Sequence, residues 1–143
     1  MKVLSLHASP ERGFPRPEVE FVELVAGKGV RADRKAGKRE NRAVLLMGQS
    51  TYDHLKSIGL ELPHGALGEN IVLDFDPHTL KPGKKLQVGD ALLEISLYCT
   101  PCKTLRDRYG QDFPARLGKR RGMLAKVLEG GVVHSGDTVE ILS

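Results

Sequence analysis

Two cysteines, Cys99 and Cys102, are the only thiols in the 143-residue chain. They stand two residues apart within the stretch QVGDALLEISLYCTPCKTLRDRY, residues 87–109. The apolar run Ala91–Tyr98 reads as a strand. Pro101 has no backbone N–H to donate and suits the point where a strand stops or a helix begins. Cys102 then falls near a helix N-terminus, where unpaired N–H groups and the helix dipole favour a thiolate. Lys103 and Arg106 act in the same sense. Such a sulfur can serve as a nucleophile, a sulfur carrier or a soft metal ligand. Cysteines so close in sequence close too small a loop to stabilise a domain by much, so a reactive or metal-binding role leads over an architectural one.

Positive charge gathers around this stretch. The net charge is +4, but residues 31–42 hold Arg31, Arg34, Lys35, Lys38, Arg39 and Arg42 against Asp33 and Glu40. Residues 103–126 hold Lys103, Arg106, Arg108, Arg116, Lys119, Arg120, Arg121 and Lys126 against Asp107 and Asp112. Two basic clusters flanking a cysteine point to an anionic ligand, phosphate first. Nucleic acid is disfavoured, because aromatic residues make up only 5% of the chain and none interleave with the basic runs. No apolar run approaches a membrane helix or a signal peptide, so the expected setting is cytoplasmic, without a membrane partner.

The elements that must position these groups read mostly as strands. Residues 1–7 alternate apolar and polar, as do 19–25, and residues 26–41 form a long Gly-rich charged loop of the kind that often carries function. Residues 43–47 are a continuous apolar run suited to a strand buried on both faces, and the apolar run at 71–75 is closed by Asp76-Pro77. Between the two runs, Ser50 or Thr51 is expected to cap a helix through about Ile58, ended by Gly59. Residues 122–128, 132–133 and 138–142 complete the strands. VGDALLEI at 88–95 and SGDTVEIL at 135–142 each place a Gly-Asp turn before an alternating strand, which fits hairpin geometry used twice. Asp90 and Asp137 are turn-formers in this reading. The sum is a single mainly β domain over residues 1–143: a closed or nearly closed β-barrel of about eight short strands with one or two short helices.

Several motifs then line up in order. Asp33-Arg34-Lys35-Ala36-Gly37 is similar to a Gly-Asp-Arg-His-x-Gly segment; Gly65-Ala66-Leu67-Gly68-Glu69-Asn70-Ile71, Val88-Gly89-Asp90, Pro101-Cys102, and Gly122 through Gly131-Val132 with Ser135-Gly136-Asp137 follow. On these the chain resembles the MOSC domain family, found at the C-terminus of molybdenum cofactor sulfurases and as free-standing bacterial proteins. The resemblance implies a barrel-like β domain. It also implies that Cys102 is the catalytic residue, carrying sulfur as a persulfide or ligating the molybdenum of a pterin cofactor (molybdopterin). Arg34, Lys35, Glu69, Asn70 and Lys103 are the candidate cofactor-binding residues. For Asn70 the reading as a loop-satisfying side chain stands slightly ahead. The family's glycine before the aspartate is Ala32 here, and its histidine is Lys35. A sulfur-donor protein is implied as partner if the carrier role holds.

Other readings remain open from sequence. Cys99-x-x-Cys102 between a strand and a helix is a dithiol arrangement, although it follows several β segments rather than an early βαβ unit. A zinc site would need both cysteines and two of His7, His54, His64, His78 and His134, none of which has paired spacing; His64, beside Pro63 and Gly65, is a candidate ligand neighbour, with a solvated loop residue the leading reading. A non-catalytic module that binds or delivers a cofactor is the third alternative.

Overall fold

The computed structural model describes residues 1–11, 15–99, 103–118 and 120–142. The expected catalytic Cys102, with Pro101, lies outside the described residues.

The strands are β1 (Val3–His7), β2 (Glu18–Val19), β3 (Phe21–Val25), β4 (Gly29–Val30), β5 (Val44–Gly48), β6 (Ile71–Leu73), β7 (Lys85–Val88), β8 (Ala91–Tyr98), β9 (Met123–Glu129), β10 (Gly131–His134) and β11 (Val139–Leu142). The helices are α1 (Gln49–Ser57), α2 (Lys103–Tyr109) and α3 (Phe113–Leu117). Eight strands form one sheet in the order β11-β7-β8-β9-β5-β6-β1-β2, and three form a second, β10-β3-β4. The fold is thus mainly β with few helices, as the alternating runs require.

No sheet closes into a barrel among the described residues. The run at 19–25 does not stay in one sheet: β2 pairs with β1, and β3 pairs with β10 and β4. Where a barrel would close, an isolated bridge joins Lys2, beside β1, to Thr138, beside β11. Of the two Gly-Asp turns, Gly89-Asp90 does join a hairpin, with Val88 opposite Ala91. The Ser135-Gly136-Asp137 turn instead carries the chain from β10 in one sheet to β11 in the other, and there the Asp137 carboxylate accepts a hydrogen bond from the His134 N–H (2.8 Å).

The continuous apolar runs are explained by burial on both faces. From β5, Val44 and Leu46 point into a core shared with Val22, Leu24, Val30 and Val133 of the small sheet. Leu45 and Met47 point the other way, against Tyr52 and Leu55 of α1, Leu105 of α2, and Phe113 and Leu117 of α3. Strands β6 and β9 divide their side chains in the same manner. Among the described residues β5 and β6 form the only parallel pair, and such a pair needs a long crossover, which α1 and the loop after it supply. Helix α1 lacks the expected hydroxyl cap. Gly48 occupies the N-cap position, while Ser50 donates to Asp76 and Thr51 donates to the Arg120 carbonyl. Gly59 follows α1, as expected, with φ of +88°. Helix α3 was not foreseen, its five residues being too few to show a period.

A close approach of backbone to backbone precedes β9. Gly122 has a φ of +118°, and a Cβ there would collide with the Leu46 carbonyl of β5. The absence of a side chain lets the residues just before β9 lie flat on the central strand. Gly122→Ala combines that overlap with left-handed strain, so it should lower the unfolding free energy by about 3 kcal/mol. Gly37→Ala, with φ of +74° and open space around it, should cost about 1 kcal/mol. Urea unfolding midpoints of the two variants measure the difference; equal losses would show that the approach at 122 is not a constraint.

Candidate functional site

The two basic segments of the sequence meet at one cavity of about 400 Å³. Arg34, Lys35, Lys38, Arg39 and Arg42 line it from the long loop, Arg121 from the approach to β9, and Arg16 from the segment between β1 and β2. Leu45, Leu124 and Gly68 complete the wall, with Cys99, which directly follows β8. No carboxylate is among the described lining residues.

A buried ion pair holds the long loop against the body. Arg16 donates to Asp33 Oδ1 at 2.9 Å with both side chains almost wholly buried. Arg16 Nε donates to the Gly68 carbonyl (3.1 Å). The Asp33 carboxylate also accepts the Ser9 and Lys35 backbone N–H groups. Just before it, Ala32 takes a φ of +66°, the left-handed conformation for which the corresponding family position supplies glycine.

Lys35 and Asn70, both candidate cofactor-binding residues, are brought together and bond to each other. Lys35 Nζ donates to Asn70 Oδ1 at 2.6 Å. The same oxygen accepts the Leu45 N–H (3.1 Å), and Asn70 Nδ2 donates to the His7 carbonyl (3.1 Å). Asn70 therefore pins β1 to β5 while aiming an ammonium group at the cavity. The residue Lys35 is half-buried, but its ammonium lies at the inner end. Burial, with the charge of Arg16 and then Arg121 adding to it and Asp33 and Cys99 opposing, brings it down from the usual lysine range to about 8.

Arg121 is the feature that sequence reading did not single out. It is 4% exposed, and its Nε and Nη1 have no hydrogen-bond partner among the described residues. A buried guanidinium with open donors is costly unless something anionic meets it. The sequence offered only a faint signal, a basic residue just before a glycine that opens a strand.

The remaining expected residues lie elsewhere. Lys103 is exposed on α2 and pairs with Asp107 (3.2 Å). Glu69 is fully buried beside the cavity's back wall rather than in it. Its Oε2 accepts from Tyr52 Oη and from the Gly65 N–H (3.1 Å), and its Oε1 has no partner among the described residues. Burial first, then the Glu69 charge, pushes the Tyr52 hydroxyl far above the ordinary tyrosine range. Arg34 lines the cavity, its backbone N–H donating to the Ser9 carbonyl (2.8 Å). Cys99, outside the family pattern, is the cysteine that the described residues place there.

His64 is not solvated as expected. Its Nδ1 meets Ser5 Oγ at 2.9 Å and its Nε2 meets Gln49 Oε1 at 2.6 Å. Ser5 Oγ in turn meets His7 Nε2 at 2.9 Å, and His7 Nδ1 meets the Arg16 carbonyl at 3.1 Å. Burial lowers the His7 pKa below the usual histidine value, the Glu69 charge opposing. This chain ties β1, α1 and the loop 63–70 together behind the cavity. Among the described residues, no three His, Cys, Asp or Glu side chains are grouped so as to hold a metal ion. No helix among them is long and apolar enough to cross a membrane.

The described lining of the cavity is cationic, with Cys99 among it, a charge that an anion would complement. Comparison with known proteins agrees with the motif reading. Residues 29–140 match the MOSC domain. No curated protein matches the sequence. Among solved structures the fold is similar to the YUAD protein from Bacillus subtilis, at 18% identity and a TM-score of 0.85, covering 98% of this chain and 94% of that one. It is also similar to YiiM from Geobacillus stearothermophilus, at 20% identity and a TM-score of 0.81, covering 99% and 75%. YiiM from Escherichia coli matches at 20% identity with a TM-score of 0.76, covering 100% and 70%. With the domain matched over most of its length, the chain belongs to the MOSC domain family.

Proposed function

We propose that the cavity binds the phosphate-bearing pterin of the molybdenum cofactor, and that Cys102 carries sulfur to it as a persulfide or ligates its molybdenum. The observation that carries this reading is Arg121, whose buried Nε and Nη1 have no hydrogen-bond partner among the described residues, in a cavity of like charges. The residues fit the anionic end of such a cofactor. Arg121 and Lys35 would meet the phosphate from the inner wall, while Arg34, Lys38, Arg39 and Arg42 surround the mouth. Leu45 and Leu124 offer an apolar surface for the flat ring system. When bound, the cofactor would supply oxygen-atom or sulfur transfer at the metal. The chain's own contribution is binding, charge neutralisation, and a soft sulfur ligand, which suits molybdenum better than a carboxylate does. Delivery of the cofactor to another protein is compatible with the same cavity.

The test is purification without oxygen from the native host, followed by metal and pterin analysis and intact mass. Molybdenum with pterin, or one added sulfur on Cys102, supports the reading, and Arg121→Met should reduce cofactor retention at least about 10-fold, the worth of one charge-assisted hydrogen bond. Protein that carries neither sulfur nor cofactor, from a host in which molybdoenzymes are active, would overturn it.

Lys35 makes a second expectation specific to pH. Its folded pKa of about 8 lies below the ordinary 10.5, so the unfolded chain binds more protons between these values. Folding stability should therefore rise with pH across that window, because the native state is relieved of a buried charge. Anion affinity should move the opposite way. Sulfate, a dianion throughout the range, should bind roughly 10-fold more weakly at pH 9 than at pH 7, as an ammonium hydrogen bond is lost. Lys35→Arg should flatten that dependence; calorimetric titrations at several pH values, with an unchanged slope in the variant, would show that Lys35 is not the titrating group.

A further inference from the structure

We propose that Cys99 is a second functional thiol of this cavity, one that undergoes exchange with small disulfides bearing anionic groups. The inference rests on the cavity taking anions, but it concerns a residue to which the family pattern gives no role. Cys99 is partly exposed and lines the same cavity as Arg121 and Lys35. It is close enough to Lys35 for its charge to act on the ammonium. Two features independent of the cysteine point to a ligand: buried donors of Arg121 without a partner among the described residues, and a charged lining that is all cationic among them.

The chemistry follows from placement. Positive walls raise the local concentration of an anionic disulfide and orient its charged groups inward. The Cys99 thiolate attacks the nearer sulfur, its proton having passed to solvent. A new sulfur–sulfur bond forms to Cys99, and the disulfide's own bond breaks. The leaving sulfur departs with the electron pair as a thiolate, which takes a proton from water. The Cys99 sulfur rises by one in formal oxidation state and the leaving sulfur falls by one, so one disulfide replaces another and no outside oxidant is needed. The negative charge that develops on the departing sulfur is met by fixed guanidinium and ammonium groups, which stabilise it without rearrangement. The reagent class is thus a low-molecular-weight disulfide with carboxylate or phosphate groups, and the product is a mixed disulfide that covers the cavity mouth.

The experiment uses the reduced full chain carrying Cys102→Ser, so that Cys99 is the only thiol. Its reaction rates with dithiobis-nitrobenzoate, which bears two carboxylates, and with uncharged dithiodipyridine are compared with those of N-acetylcysteine. The expected preference for the dianionic reagent is at least about 10-fold above that of the free thiol, and it should shrink toward the free-thiol ratio in about 0.5 M salt. Arg121→Gln should lower it; Lys38→Gln and Arg39→Gln, at exposed positions, should lower it without threatening the fold. A ratio equal to that of the free thiol, while sulfate still binds in calorimetry, overturns the role of Cys99 and leaves the anion cavity standing. Failure of sulfate to bind or to protect Cys99 overturns the cavity reading itself.

Discussion

The buried ion pair between Arg16 and Asp33 is the interaction on which the site depends. Bringing Arg34, Lys35, Lys38, Arg39, Arg42 and Arg121 around one space sets like charges against each other, and none of the described lining residues is acidic. Asp33 stands just behind it, accepting from Arg16 and from two backbone N–H groups. In this way a single carboxylate anchors the long loop and offsets part of the repulsion. Such a pair contributes little net stability when both partners are present, but removing one leaves a buried charge uncompensated, at a cost of about 3–5 kcal/mol. Local geometry converges on the same place, since Ala32 accepts a left-handed φ to deliver Asp33 to its partner.

What gives the cavity a rigid floor is the double burial of β5, β6 and β9. A strand with a core on each face cannot twist out of register without exposing apolar side chains on one side or the other. Gly122 takes advantage of that stiffness by packing against Leu46, which carries Arg121 inside. Asn70 does the equivalent work from the opposite side, binding Leu45 and His7 while orienting Lys35. The cationic groups are therefore mounted on backbone that has little freedom to move away when they repel.

Much of the fold was legible because its signals are local. The continuous apolar run at 43–47 announced a strand buried on both faces, and the run at 71–75 lies where β6 forms. Glycines at 59 and 89 marked turns, and a helix follows the cysteine segment. The division into two sheets in place of the expected barrel was not legible, because the run at 19–25 alternates smoothly across a bend that sends β3 to a different sheet, and alternation says nothing of which sheet a strand joins. The two Gly-Asp turns look alike in sequence, yet only long-range pairing decides that one is a hairpin and the other a crossing between sheets. The site divides in the same way. Lys35 and Asn70 sat in recognisable motifs. Arg16 and Arg121 did not: each is one basic residue among many, distinguished only by burial. Glu69 and Lys103 matched by position in sequence but face a polar network and solvent respectively.

Counting hydrogens along the imidazoles and hydroxyl behind the cavity shows that neutral rings cannot make all four links at once. The series is closed at one end by the Arg16 carbonyl and at the other by Gln49 Oε1, whose amide is oriented by donation from Gln49 Nε2 to Asp53 (3.0 Å). Both terminal groups only accept, so the four links from His7 through Ser5 to His64 need four hydrogens. Two neutral imidazoles and one hydroxyl supply three. The series is complete only as a cation, a charge that burial disfavours at His7. The wall that presents Gly68 and Asn70 is in this sense tightened by acid, and in base one of its links must be empty.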